Sequence, residues 1–286
     1  MKLMGKLFIN GKIKVLTGLY IGASKTDAAI GDIDNCVIKT SEGIPYIPGS
    51  SLKGKIRSLL EKSILDEIVK EESPEKENLQ GKNNSKDNSV NAKNKLNLCT
   101  CGSENCKICV IFGSSADKRS NEAGPTRLIV RDCHLTEETR RKMENKEGEF
   151  KELELNYTES KWENVIDRLT SRAEHPRQTE RVPAGAEFDF QIVFNLLEKQ
   201  DIDRFFYFIS GLNLLQDDYL GGNGSRGYGR IEFSSFQVGA KTISDYEGKN
   251  EMEILYDGTL QGFSREKEEF ADKLMKKLGL NDNEDL

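Results

Sequence analysis

The sequence predicts an α+β fold, a sheet with its helices on one face around a ferredoxin-like or split-βαβ core. Three observations carry that prediction. Strand-like and helix-like segments follow one another as strand, strand, helix, insertion, strand, and then strand, helix, strand. Residues 186–195, AEFDFQIVFN, place Phe188, Phe190, Ile192 and Phe194 at a period of two, the pattern of a half-buried strand. Two further segments repeat their apolar residues at the 3.6-residue period of a helix.

Taken in order, KLFINGKIKVLTGLYIG mixes β-branched and apolar residues around Asn10-Gly11 and predicts one or two strands. A loop bearing Gly, Ala and Asp, 22–35, leads to a short strand over 36–39, and Pro45 and Pro48 punctuate the turn beyond it. From Ser51 to about Glu72, Leu52, Ile56, Leu59, Leu60, Ile64 and Ile68 form one helical stripe, with Ser50 or Ser51 as the natural N-cap after Pro48-Gly49. Residues 73–97 then hold seven Asn and five Lys among 25 residues, which predicts a solvated insertion. TRLIVRDCHL, 126–135, reads as a strand. Residues 156–170 are amphiphilic and ambiguous, and 171–185 are polar, basic and proline-bearing, a long loop or exposed hairpin. Ile202, Phe205, Phe206, Ile209, Leu212 and Leu215 predict a second helix over 201–216, and 230–238 alternates again. A charged helix over about 264–278 precedes an acidic tail.

Composition bounds the function. A chain of 286 residues with 36% hydrophobic residues and 25 glycines can bury a core. No apolar run, Phe205 to Ile209 included, exceeds five residues, and the start MKLMGKLFINGK is broken by charge, so a soluble intracellular protein without membrane contact is expected. A net charge of −6 argues against a uniformly basic nucleic-acid surface; anions must meet a local patch. The two histidines, His134 and His175, lie apart and exclude a His-rich metal site.

Four places can carry chemistry. Cys99, Cys101, Cys106 and Cys109 crowd into CTCGSENCKIC, and without a secretory signal they point to a closed structural zinc site rather than disulfides. The tight Cys99-x-Cys101 spacing makes Cys99 the least secure ligand, with His134 as its substitute; reduced bystander cysteines or redox chemistry are the other readings. GGNGSRGYG, 221–229, formally matches a dinucleotide fingerprint through Gly222, Gly224 and Gly227, but a helix precedes it and a strand follows, the reverse of what that fingerprint requires. What remains is a backbone able to approach a phosphate, presenting Arg226 and Tyr228, or else a tight helix-to-strand turn. PGSSLKGKIRS, 48–58, sets free helix amides beside Lys53, Lys55 and Arg57, an anion site or an ordinary solvated first turn. In Gly31-Asp32-Ile33-Asp34-Asn35 the two aspartates share a side if extended, a seat for Mg²⁺ or plain turn formers.

Together, PGSSLKGKIRSLL and YLGGNGSRGYGRI resemble the paired signatures of the RAMP superfamily of CRISPR proteins. TGLYIGAS, AAIGDIDNCVIK and ENVIDRLTSRAEHPRQTER extend the resemblance, which is fullest to the backbone subunits of type III-A (Csm) effector complexes and collinear over most of 5–238. The resemblance implies one RRM-like palm domain over 1–286. Its insertions would be a loop and zinc knuckle over 73–125 and a thumb hairpin within 156–185, followed by a C-terminal helix and tail over 264–286. It implies a cytoplasmic filament of copies of the chain along a guide CRISPR RNA, joined by other Csm subunits, that cleaves guide-complementary target RNA at regular intervals. The cleaving group would be Asp34, with Asp32 second, assisted by Mg²⁺ or Mn²⁺. Ser50, Ser51, Lys53, Lys55, Arg57, Arg172, Gly222, Gly224, Ser225, Arg226 and Tyr228 would bind RNA. The alternatives are a non-catalytic guide-RNA scaffold and, last, a zinc-ribbon DNA-binding regulator, for which the cysteines lack a basic recognition helix.

Overall fold

The computed structural model describes residues 2–23, 33–64, 99–114 and 122–280. The Asn- and Lys-rich stretch 73–97, Asp32 and the acidic end of the tail lie outside them. In chain order the elements are β1 (Gly5–Val15), β2 (Tyr46–Ile47), α1 (Gly49–Ser63), α2 (Lys107–Phe112), β3 (Leu128–Val130), β4 (Cys133–Leu135) and α3 (Glu137–Glu144). There follow β5 (Glu159–Ile166), β6 (Ala173–Arg181), β7 (Glu187–Leu196), α4 (Asp201–Asp217), β8 (Ile231–Thr242), α5 (Ile243–Glu247), β9 (Glu253–Gly258), α6 (Leu260–Arg265) and α7 (Lys267–Leu278). No helix among the described residues is long and apolar enough to cross a membrane.

Seven strands form one antiparallel sheet in the order β2-β4-β7-β1-β8-β9, with β3 also paired to β7; β5 and β6 pair separately as a hairpin. β1 lies between β7 and β8, so the β7-α4-β8 half contributes one strand to each side of it, while β2, β3 and β4 all lie on the β7 side. Leu7, Ile9, Ile13 and Val15 of β1 are fully buried while Lys6, Phe8, Asn10, Lys12 and Lys14 are only partly covered, the two faces of one pleat. Asn10-Gly11 is not a turn: one strand runs through it. A Cβ on Gly11 would stand 2.1 Å from the Ser235 carbonyl oxygen and 2.9 Å from the Phe190 ring, so glycine here permits close approach. The register with β8 shifts directly after it, between Lys12 and Ile13.

α1 and α4 lie together on the buried face. Gly211 of α4 leaves the space that Ile56 and Leu60 of α1 fill, since a Cβ there would lie 2.7 and 2.9 Å from them. Every stripe residue predicted for 201–216 is buried, and Phe205, Phe263 and Phe270 stack edge and face where α6 and α7 close the core. A buried ion network holds the start of α4. Arg127 Nε donates to both Asp201 oxygens at 3.2 Å, and Asp201 Oδ2 accepts the Leu197 and Glu198 amides.

Several expectations need adjustment. The strand expected over 126–135 breaks at Arg131-Asp132, because the Asp132 carboxylate turns to accept the Gly49 amide at 2.7 Å. That carboxylate takes the part expected of Ser50 or Ser51: Pro48 is the N-cap residue of α1 and offers no side-chain bond. α1 ends at Ser63 with Ile64 as its C-cap, and Ile68 lies outside the described residues. Residues 36–39 form isolated bridges, Val37 to Gly22 and Lys39 to Pro45, rather than a strand. The single C-terminal helix is two, parted at Glu266. α3, α5 and β9 have no counterpart in the sequence reading.

Candidate active site and metal centre

Asp34 sits in a bend whose backbone is joined to the hairpin. Asn35 donates its amide to the Gln178 carbonyl at 3.2 Å, and Glu180 returns its amide to the Asn35 carbonyl at 2.9 Å, a parallel bridge onto β6. Asp34 Oδ2 accepts the Gln178 amide at 3.0 Å, and the side chain is otherwise exposed. Just beneath, the buried Glu180 carboxylate accepts the Val37 amide at 3.0 Å and the Thr158 hydroxyl at 2.6 Å, and pairs with Lys39. One backbone-anchored carboxylate thus faces solvent at the foot of the hairpin with an oxygen to spare.

The hairpin itself projects apolar side chains outward. Trp162, Val165, Ile166 and Leu169 are 64, 44, 63 and 96% exposed, a concentration matched nowhere else among the described residues. Arg172 is exposed beside the tip, where its carbonyl accepts the Asp167 amide. The segment 171–185, a loop or hairpin by sequence, is chiefly the return strand.

The glycine loop packs on the segment that leads to Asp34. Gly222 donates to the Tyr20 carbonyl at 2.8 Å and Gly229 to the Gly18 carbonyl at 3.0 Å. Gly221, Gly227 and Gly229 have φ of +80°, +84° and +73°, and Asn223 joins them at +60°. Gly224 and Ser225 enter a short 3₁₀ turn, and Gly224 lies flat on the Tyr219 ring. Arg226 is exposed and pairs with Glu163 of the hairpin at 3.2 Å. Tyr228 is not presented as the sequence suggested: it is 1% exposed, donates to Glu163 at 2.9 Å and lies under Lys161 and Arg181. Burial first, then the Glu163 carboxylate, pushes its hydroxyl up to about 12. An open cavity of about 460 Å³ under this loop is lined by Thr17, Asp218, Tyr219, Gly224, Tyr228 and Arg230.

α1 joins the same region. Lys55 pairs with Asp218 at 3.1 Å and stands 3.5 Å over the Tyr219 ring, so helix and glycine loop are tied together. Ser50 is exposed, and Ser51 and Lys53 are half-buried. Burial, then the Arg57 charge, lowers the Lys53 pKa, the condition of an ammonium that gains from an anion. Arg57 turns the other way, to Glu61 and the cysteine segment.

The four cysteine ligand atoms lie within 4.8 Å of one another. Cys99 Sγ is 3.8, 3.5 and 3.8 Å from those of Cys101, Cys106 and Cys109, and Cys101 is 3.6 Å from Cys109. A tetrahedron of ~2.3 Å metal–sulfur bonds has edges of ~3.8 Å, so the set fits a four-thiolate zinc ion. The Gly102 amide points at Cys109 Sγ at 3.4 Å, a donor suited to a thiolate. His134 stays on β4, stacked on Tyr46, so it is Cys99 that joins the group. Ile108, Val110 and Ile111 of α2 root the segment in the core. Cys133 is separate, its thiol pushed up to about 12 by burial and by Asp132 and Asp189.

Sequence reasoning missed Gln178, Glu180 and Glu163, which fasten Asp34 and the glycine loop to the hairpin. Their bonds cross more than sixty residues of chain and leave no local pattern.

The RAMP superfamily model matches residues 12–232. A protein described as CRISPR system Cms endoribonuclease Csm3 from Methanocaldococcus jannaschii is 40% identical over 248 residues, covering 86% of each chain. Its namesakes from Methanothermobacter thermautotrophicus and Streptococcus thermophilus are 37% and 35% identical, covering 87% of this chain and 92% and 96% of theirs. Among solved structures, a chain of a Csm3-Csm4 subcomplex of the type III-A CRISPR-Cas interference complex superposes with a TM-score of 0.57 at 29% identity, covering 94% of this chain and 98% of the other. Methanopyrus kandleri Csm3, at 20% identity, shares the fold with a TM-score of 0.56.

Proposed function

Because this chain belongs to the RAMP superfamily, we propose that it is a backbone subunit of a type III-A CRISPR effector and an endoribonuclease that cuts guide-complementary RNA. It would work in the cytoplasm, as a row of copies along one CRISPR RNA with other Csm subunits at the ends. The observation that carries the reading is Asp34, a solvent-facing carboxylate bridged by backbone to the foot of an exposed apolar hairpin.

The order of β8, β1, β7 and then β3 and β4, with α1 and α4 on one face, supports an RRM-like palm as the single domain of 1–286. The 156–185 insertion would be its thumb and the four cysteines within the 73–125 insertion its knuckle, with 264–286 as an added C-terminal piece. Ser50, Ser51 and Lys53 on α1, Gly222, Gly224, Ser225 and Arg226 on the loop, and Arg172 on the hairpin follow the RNA backbone. Lys55 and Tyr228 act from behind, holding those elements together, and Arg57 ties α1 to the cysteine segment. Contacts of this kind read phosphate and shape, and sequence is left to the guide.

Cleavage requires the 2′-hydroxyl of the target RNA in line with the adjacent phosphorus and its leaving 5′-oxygen. The thumb supplies the backbone bend by wedging apolar side chains beside the duplex. Asp34, fixed by the Gln178 amide, presents its free oxygen to orient that hydroxyl or to hold a divalent cation. A lone carboxylate suits Mg²⁺ or Mn²⁺, which keeps most of its waters and would relieve charge at the phosphate. The four cysteines would hold structural zinc, which would pin the segment that follows the insertion.

The test is cleavage of a guide-complementary RNA by the reconstituted assembly, wild type against Asp34→Ala, with Mg²⁺ and with EDTA. Regularly spaced cuts that vanish in the variant while RNA binding persists are expected. Equal cutting by both would make Asp34 a turn former and this chain a guide-binding scaffold.

A further inference from the structure

Arg57 and Glu61 lie on one face of α1, one turn apart, and together they enclose the peptide groups of Cys99. Glu61 is 6% exposed, and its Oε1 accepts both the Cys99 amide at 3.1 Å and Arg57 Nε at 2.8 Å. Arg57 Nη2 donates to the Cys99 carbonyl at 2.6 Å and Nη1 to the Gly113 carbonyl at 3.2 Å. Both backbone groups of the first cysteine are therefore held by one ion pair, and the same guanidinium reaches the residue that closes α2. Gly113 in turn donates its amide to the Cys109 carbonyl, so the last cysteine is gripped through the neighbouring turn.

We propose that Glu61 and Arg57 are positioning residues for the metal of the cysteine cluster, setting its affinity through Cys99 without touching the ion. The proposal rests on reading that cluster as a metal site. Cys99 needs such help: Cys106 and Cys109 belong to α2 and its cap, whereas Cys99 lies in no helix or strand. A ligand with both peptide groups fixed loses less freedom when the metal binds, and loss of such outer partners costs ~10- to 100-fold in metal affinity. The charges matter as well as the bonds. The carboxylate and guanidinium neutralise each other, so the pair adds no charge to a site that four thiolates already make negative.

The experiment uses the full-length chain and Zn²⁺, with affinity read by competition against a chromophoric chelator. Wild type should bind one Zn²⁺, and Glu61→Gln and Arg57→Lys should each bind it 10- to 100-fold more weakly. Their Co²⁺ spectra should stay those of a tetrahedral four-thiolate site. Lysine cannot reach two carbonyls and a carboxylate at once, so it tests the fork rather than the charge. The double variant should lose little more than either single one, because the two act as a unit. Arg140→Met, which removes an exposed pair on α3, should change nothing. Wild-type affinity in both variants would overturn the proposal, as would variants that stay unfolded in saturating Zn²⁺, which would make the pair a folding element. A wild-type chain that binds no Zn²⁺ would instead overturn the reading of the cluster.

Discussion

Gly221→Ala should destabilise the chain by about 2–5 kcal/mol, well beyond the cost of the same change at Gly227. At φ +80° an alanine is in the left-handed region and loses ~1–2 kcal/mol by that alone. Its Cβ would also stand 2.2 Å from the Tyr20 carbonyl oxygen, so the loop must withdraw by ~1 Å to reach ordinary contact. Withdrawal breaks the 2.8 Å bond from Gly222 to that same carbonyl, worth a further ~1–3 kcal/mol if the groups are left unpaired. Gly227, at φ +84°, has nothing within 4 Å of the position an added methyl would take, so Gly227→Ala carries the backbone cost alone. At ~2 °C per kcal/mol for a chain of this size, Gly227→Ala should lower Tm by ~2–4 °C and Gly221→Ala by ~4–10 °C. Differential scanning calorimetry on the two variants makes the comparison. Equal melting temperatures would refute the claim that the loop is seated on the Tyr20 segment.

Raising pH above ~10 should loosen the hold of the hairpin on the glycine loop. The Tyr228 hydroxyl is held at about 12 when folded against ~10 when unfolded, so its contribution is full below pH 10 and is lost between the two; Tyr228→Phe should flatten that alkaline decline in stability. At the acid end, the Thr242 amide and hydroxyl, then Lys277, hold Asp245 well below the usual carboxylate range. Its contribution is present above ~pH 4 and lost as pH falls toward the depressed value, so acid melts of Asp245→Asn should lack part of the wild-type slope. Cys106→Ser should abolish stoichiometric Zn²⁺ by elemental analysis and lower Tm. Leu169→Ser, at a side chain 96% exposed, should shift Tm by no more than ~1 °C while weakening the hold of the assembly on a guide–target duplex, measured by filter binding.

The parts of this molecule legible in its sequence are those whose burial is periodic. Phe188, Phe190, Ile192 and Phe194 announce β7, and the stripe from Leu52 to Leu60 announces α1, because each faces one continuous core. α3 is nearly invisible, since EETRRKME buries only Thr139 and Met143 and owes its start to the Thr136 cap. β9 hides for another reason: an edge strand of six residues, it gains most from backbone pairing with β8, which any sequence can supply. At the site, residue types were readable and partners were not. Lys55 and Arg57 look alike as cations near a helix start, yet one is turned to the glycine loop and the other to the cysteines. Only the packing of distant segments decides which.

The bridge between Asn35 and Thr179 has a bearing on measurement of length along RNA. If the nucleolytic group hung on a free loop, the scissile bond could wander relative to the wedge that bends the strand. If Asp34 cuts as proposed, its attachment to β6 by a pair of backbone hydrogen bonds makes blade and hairpin one die, whose stroke would land at a constant distance from the hairpin. Spacing between cuts would then be a count of protomers, indifferent to loop length elsewhere in the chain.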